Sequence, residues 1–321
     1  MEILLVLGLL LALYVAWSIG ANDETMATLA GSGFTSIALA ALLGALMDFL
    51  GAVFLGYTVE ETLGKKLIKG ILTTTDVVIL LLAVATWLIV ASYRGWPVST
   101  THSVVGAAIG LGILKYGLSG VSWNSFLRVL SGWMISPVTG LLGSVIVYAI
   151  ARKAVRKSVH GFSGIIKVSK YSSVLLIAFS SVTAFFRGAN DIANATAFLS
   201  TLVGQPLLIR GVCGAGMALG LLILGRRVIK SVGVQLVELD PLAALCIQIS
   251  TTLTMGIGTI LGLPLSGTHV LVSAVIGIGI VRRAWINVRG LGEIFLTWAI
   301  TFPCSAALAV AFSLFLLTLM L

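Results

Sequence analysis

A chain of 321 residues that is 59% hydrophobic, only 10% charged and has a mean hydropathy of +1.13 cannot clothe a water-facing surface, since soluble domains carry roughly 25% charged residues. Its net charge of +9 does not point to nucleic acid, because the basic residues sit in short segments between apolar runs, where they set membrane orientation. Composition therefore excludes a soluble domain and leaves a polytopic membrane protein.

In chain order, apolar runs fall near 3–21, 36–57, 76–93, 98–115 and 126–150, then near 172–187, 206–224, 240–260, 265–281 and 293–321. Runs of about 18 residues suit helices crossing roughly 30 Å of hydrocarbon. No alternating ten-residue pattern of a membrane barrel occurs, so helices are predicted. The first run lacks a basic leader and is followed by Asn22-Asp23-Glu24, which is no signal-peptide cleavage site. It reads as a retained membrane helix. Glu60, Glu61, Lys65, Lys66 and Lys69 read as a solvated loop of mixed charge. Residues 1–150 form one half and 171–321 the other. Between them 151–170 is a short basic linker, with His160 solvated in it. Cys213, Cys246 and Cys304 lie in apolar runs without paired spacing and read as packing residues. Trp96, Trp123 and Trp285 sit at run ends, as interfacial anchors do.

Five runs per half is an odd number, so the second half must enter the membrane from the opposite side. The predicted fold is all-α, with two inverted-topology repeats, broken or re-entrant helices and roughly 10–12 membrane segments. With the N-terminus outside, 13 Lys and Arg fall inside and 7 outside, Arg187 and Arg210 among the outer set. That places both termini outside and residues 151–170 in the cytoplasm.

The halves share more than their run count. Gly20-Ala21-Asn22-Asp23 returns as Gly188-Ala189-Asn190-Asp191, and Pro97-Val98-Ser99-Thr100-Thr101-His102 returns as Pro264-Leu265-Ser266-Gly267-Thr268-His269. Gly44, Met47, Gly51 and Gly56 match Gly214, Met217, Gly220 and Gly225 in order. A carboxylate beside an amide, placed twice against hydrocarbon, marks a functional site. Asn22, Asp23, Asn190 and Asp191 offer hard oxygen ligands for Na⁺. Gly20 and Gly188 are predicted to break their helices and free further carbonyls. Titration of the Asp residues by H⁺, or simple helix capping, are the alternatives.

The Pro-x-Ser-x-Thr-His turns place Ser99, Thr100, Thr101, Ser266, Gly267 and Thr268 at helix starts. There, unpaired N–H groups and hydroxyls make a neutral cradle for an oxyanion. Ordinary capping is again the bland alternative. Neither turn holds a Lys or Arg, so bound cations are expected to neutralise the anion. His102 and His269, at matched positions, read as orienting groups or packing residues. Asp48 is a lone acid in the second run, without a counterpart.

Gly-Ala-Asn-Asp-Ile-Ala-Asn-Ala at 188–195, its degenerate copy at 20–27 and the paired turns resemble the PiT family of inorganic phosphate transporters across nearly the whole chain. The resemblance implies a secondary active transporter of the cytoplasmic membrane that takes up phosphate with Na⁺, or with H⁺. It further implies alternating access around a midplane site, and a homodimer. Asn194 joins the implied cation ligands. In the first copy the matching residue is Met26, so Thr25 or Glu24 is expected to substitute. Retention of both Asp23 and Asp191 favours phosphate over the sulfate or general oxyanion permeases of the same fold. No enzyme activity and no cofactor are expected. An intramembrane aspartyl protease would need a Gly-x-Gly-Asp segment, which is absent.

Overall fold

The structure, a computed structural model, describes residues 2–158, 161–203 and 205–320, with side chains described at 6–63, 67–157, 161–200 and 205–318. His160 lies outside the described residues. Ten long helices answer the ten apolar runs. In the first half they are α1 (Glu2–Ala21), α3 (Ile37–Leu55), α5 (Thr74–Arg94), α6 (Thr100–Tyr116) and α7 (Trp123–Ser158), with α2 (Ala27–Gly31) and α4 (Tyr57–Lys66) between them. In the second half α8 (Gly161–Val203), α9 (Pro206–Gly220), α10 (Arg226–Gly233), α11 (Pro241–Ile260), α12 (Gly267–Arg282) and α13 (Val288–Met320) follow. Among the described residues seven helices are long and apolar enough to cross a membrane, and Val6–Ala21 and Gly267–Arg282 are shorter apolar helices.

Local chemistry explains most boundaries. Thr73 and Asp76 close a capping box at the start of α5, which ends on Gly95 at φ 71°. Pro206 and Pro241 stand in the first turns of α9 and α11, where a missing N–H is harmless. α7 and α13 each carry one internal proline, Pro137 and Pro303. At 1.5 Å per residue, α8 is about 65 Å long, twice the hydrocarbon thickness. The basic segment 151–170 is therefore the helical ends of α7 and α8, flanking residues 159–160, rather than a loop.

Each half completes the other. α1 packs against α9 and α3 against α8, while α6 packs against α13 and α12 against α7. The crossings are built on glycine. A Cβ on Gly20 would strike the Met217 carbonyl, and one on Gly220 the Trp17 carbonyl. In the sister crossing Gly51 faces the Phe185 carbonyl and Gly188 the backbone of Asp48. Small residues let membrane helices approach backbone to backbone.

Gly188 does not break its helix: α8 runs unbroken through Asn190 and Asp191. Its glycine serves the close crossing, and the helix-compatible Ile192-Ala193-Asn194-Ala195 carries the helix on. Only the first copy unwinds, with α1 ending at Ala21 and a turn at 22–26. There Asn22 N–H donates to Ile19 and Asp23 N–H to Gly20, and the Asp23 carboxylate accepts from the Thr25 N–H at 2.6 Å.

Candidate functional site

The two motif copies and the two helix starts meet in one buried centre. Asn22, Asp23, Glu24, Thr25, Asp48, Ser99, Thr100, Thr101, Arg187, Asn190, Asp191, Asn194, Ser266 and Thr268 are each no more than 5% exposed. The starts of α6 and α12 interlock across the repeat. The Thr101 hydroxyl donates to Leu265 O at 3.4 Å, and its counterpart Thr268 donates to Val98 O at 3.2 Å.

Ser99 and Ser266 act as N-caps, accepting from His102 N–H and His269 N–H at 3.3 Å. For these two side chains the bland alternative holds. Capping leaves the first amides of each helix, at Thr100, Thr101, Gly267 and Thr268, without an intrahelical acceptor. Thr100 donates to Asp191 at 3.3 Å and accepts from Asn194 at 3.2 Å. His102 and His269 stack edge-on at 4.7 Å, and each lies against a tryptophan, Trp133 at 3.7 Å and Trp298 at 3.9 Å. That is a packed aromatic column behind the turns.

Each motif asparagine clasps an elbow. Asn22 Nδ2 donates to Ser92 Oγ at 3.1 Å and Trp96 O at 2.8 Å. Asn190 Nδ2 donates to the equivalent Thr259 Oγ1 at 3.1 Å and Leu263 O at 2.9 Å. Gly95 O accepts from Ser231, and Gly262 O from the equivalent Thr62. The symmetry then fails. Asn22 Oδ1 accepts from Val98 N–H and Trp298 Nε1 donates to Pro97 O, whereas Asn190 Oδ1 and Trp133 Nε1 have no hydrogen-bond partner among the described residues. Counting side-chain bonds from other elements, the elbow at 95–99 is held by five, at Gly95, Trp96, Pro97 and twice at Val98, and that at 262–266 by four, at Gly262, Leu263, Leu265 and, from its N–H to Ser136 Oγ at 3.4 Å, Ser266.

The main departure from expectation is Arg187. Counted by sequence among outer-loop cations, it is 3% exposed and joins both motif copies. Its guanidinium donates to Glu24 at 2.6 and 3.3 Å, to Asp191 at 2.8 Å and to the Thr268 hydroxyl at 3.1 Å. The oxyanion cradle is therefore not free of fixed positive charge. Gly267, expected to let a ligand near the backbone, faces the guanidinium: a Cβ there would meet Arg187 Cζ at 2.9 Å. Arg187 stands four residues before Asp191 at the end of an apolar run, and Glu24 adjoins Asp23. That placement was the available signal.

Arg210 was likewise misplaced. It bonds Glu60 at 2.9 Å, Thr196 donates to the same carboxylate, and both charged residues are 7% exposed. Glu60 lies in α4, not in a solvated loop. Without Arg187 and Arg210 the outer set of cations falls to five, which strengthens the charge asymmetry.

Asp48 is fully buried beside the Asp23 carboxylate and within electrostatic reach of Asp191 and Arg187, and among the described residues no donor bonds either of its carboxylate oxygens. Thr25 Oγ1, Asn190 Oδ1, Asn194 Oδ1 and Gln248 Oε1 are also buried and have no hydrogen-bond partner among the described residues. The carbonyl freed at Thr25 is not available, since Gln248 Nε2 donates to it at 2.8 Å. Met26 takes no part: it is fully buried and packs beside Gly44. Among the described residues no three His, Cys, Asp or Glu side chains converge as a metal cluster.

A buried polar centre at the junction of two repeats in a polytopic helical protein is the construction of a secondary transporter. The sequence matches the phosphate transporter family over residues 19–309, and the chain belongs to that family. It is 30% identical to a protein of Chlamydia trachomatis assigned as a phosphate permease, over 98% of this chain and 99% of that one. It is 29% identical to the chloroplastic inorganic phosphate transporter 2-1 of Arabidopsis thaliana, over 95% of this chain and 71% of that one. A solved structure of a sodium-dependent phosphate transporter superposes with a TM-score of 0.89 at 28% identity, over the full length of both chains. The family is one of transporters, not enzymes.

Proposed function

We propose that the chain takes up inorganic phosphate across the cytoplasmic membrane together with Na⁺, by alternating access, as a homodimer. The observation that carries this is the pairing of helix-start amides and threonine hydroxyls with buried, unpartnered oxygens in one centre. The first group suits an oxyanion, the second a hard cation. Asp23, Asn22 and Thr25 on one side, and Asp191, Asn190 and Asn194 on the other, are the cation ligands in this reading. Ser99, Thr100, Thr101, Ser266, Gly267 and Thr268 form the phosphate turns, with the serines acting through the helix starts they cap. His102 and His269 back those turns. Asp48 adds a carboxylate that needs a cation or a proton.

The name of the solved relative supports Na⁺ over H⁺. Radiolabelled phosphate uptake into proteoliposomes, driven by a Na⁺ gradient alone or a pH gradient alone, separates the two. Uptake driven by neither gradient would end the reading. Arsenate, near in shape and charge, is expected to compete strongly. Sulfate should compete poorly at neutral pH, because it cannot donate a hydrogen bond to an acceptor such as Asn190 Oδ1. Sulfate matching arsenate would favour a general oxyanion permease.

The repeats are read as inverted, with both termini outside and 151–170 cytoplasmic. The elbow at 95–99 then faces inward, beside a cleft lined by Arg94, Ser231, Asn287 and Arg289. The elbow at 262–266 faces a second cleft lined by Thr62, Ser125 and Arg128, on the outer side. Both are the gates of the cycle, and the outer one has fewer bonds to break. In a cysteine-free background without substrate, Leu265→Cys is expected to react with an impermeant maleimide added outside faster than Val98→Cys reacts with the same reagent inside. Equal or reversed rates would remove the bond count as a guide to gate bias.

A further inference from the structure

The cation and oxyanion sets just proposed leave Arg187 without a task, and among the described residues it is the one basic residue bonded to either Asn-Asp motif. Resting on that reading, we infer that Arg187 is a tethered cation of the binding centre: it stands in for one coupling ion at Asp191 and presents its guanidinium to the transported oxyanion at Thr268.

Its contacts are divided in a way that a purely structural pair does not require. The fork takes Glu24 through two nitrogens, Asp191 through Nε and the cradle hydroxyl of Thr268 through a terminal nitrogen. A guanidinium is the planar donor best matched to a carboxylate or phosphate edge. Four buried acids, Asp23, Glu24, Asp48 and Asp191, surround it. The repeat itself shows the exchange. The position matching Arg187 in the first half is Ile19, and the position matching Asn194 is Met26. The first half thus carries Met26 where the second has an amide and Glu24 where the second has Ile192, and the second carries the arginine that meets Glu24. The cleared space at Gly267, where the first half carries Thr100, is what admits the guanidinium. A centre with one cation already fixed needs one fewer mobile cation to hold a polyanion.

The test compares the parent with Glu24→Gln and with the doubly neutral Glu24→Gln/Arg187→Gln. The double variant removes one positive and one negative group together and so keeps the net charge of the buried centre, whereas removing Arg187 alone would leave both Glu24 and Asp191 uncompensated. In proteoliposomes the readouts are the phosphate KM, the steepness of the Na⁺ dependence, and the charge moved per phosphate from reversal potentials. The double variant is expected to raise the phosphate KM at least tenfold, because the guanidinium is gone from Thr268, at a parental cation count, because one positive and one negative group leave together. Glu24→Gln alone, which frees the guanidinium, is expected to lower the phosphate KM and flatten the Na⁺ dependence. A folded double variant with the parental KM, or a Glu24→Gln protein with the parental Na⁺ dependence, would overturn the inference and leave the pair as packing. If the double variant does not fold, a Glu24→Gln protein with unchanged or raised KM overturns it equally. A parent that takes up no phosphate at all fails the functional reading instead, before any variant is compared.

Discussion

Asp191→Asn is expected to reduce concentrative phosphate uptake to background while the protein remains folded. Asp191 is 3% exposed, in the middle of an unbroken helix, and accepts from Arg187 and Thr100. It caps nothing, so its charge, not its shape, is what the site uses. The amide oxygen can keep the Arg187 Nε bond, while its NH2 replaces the oxygen that meets Thr100, whose hydroxyl can turn to accept; the main loss is the charge. Arg187 retains Glu24, so the penalty of about 3–5 kcal/mol for stranding a buried ion is largely avoided. Asp23→Asn should be less severe. Its Oδ1 accepts from the Thr25 amide, which an Asn oxygen reproduces, and its motif copy already has Met26 in place of the family's asparagine. Initial uptake rates, with melting temperatures in detergent as the folding control, test both. Parental rates from both variants would remove the carboxylates from the coupling mechanism.

The largest effect on stability is expected from a single methyl group. In Gly51→Ala the new Cβ points at the Phe185 carbonyl, a backbone atom that no rotamer change can move aside. α3 and α8 must then separate, and the crossing holds Asp48 and Gly188 in contact. Overpacking costs about 1–3 kcal/mol where side chains can yield; a backbone obstacle puts this case near the top, about 3 kcal/mol. Gly211→Ala is the control. Gly211 lies in α9 with nothing within 4 Å of an added Cβ, and Ala is favoured over Gly inside a helix by up to about 1 kcal/mol. Thermal melts of the two variants should diverge strongly. Coincident melts would sink the close-crossing account.

Much of this was legible in the residues themselves. The ten apolar runs became the ten long helices, and the twin Asn-Asp and Ser-x-Thr-His segments became one centre, because repeated polar residues in hydrocarbon have nowhere else to go. What was not legible depended on tertiary partners. Gly188 could equally signal a break or a close approach, and only the backbone of Asp48 beside it decides. Arg187 and Arg210 looked like loop cations because each stands near the edge of an apolar run. Their acids, Glu24 and Glu60, are more than 140 positions away in sequence. α4 and α10 escaped notice because ten and eight residues are too short to register against the long apolar runs. The unequal clasping of the two elbows rests on single hydrogen bonds between similar residues, which no pattern of residue types encodes.

The crossed pairing of helices sets a schedule for biosynthesis. α1 leaves the ribosome first, but its glycine seam at Gly20 closes only on Gly220, about 200 residues later, roughly 10–40 s at ordinary elongation rates. Throughout that interval α1 has α5 of its own half to pack against but not α9, and the arginine that neutralises Glu24 arrives only with α8. The nascent N-terminal half is therefore obliged to wait at the insertion machinery or beside a chaperone. Two fragments cut between α7 and α8 would have to be made together to yield a folded protein.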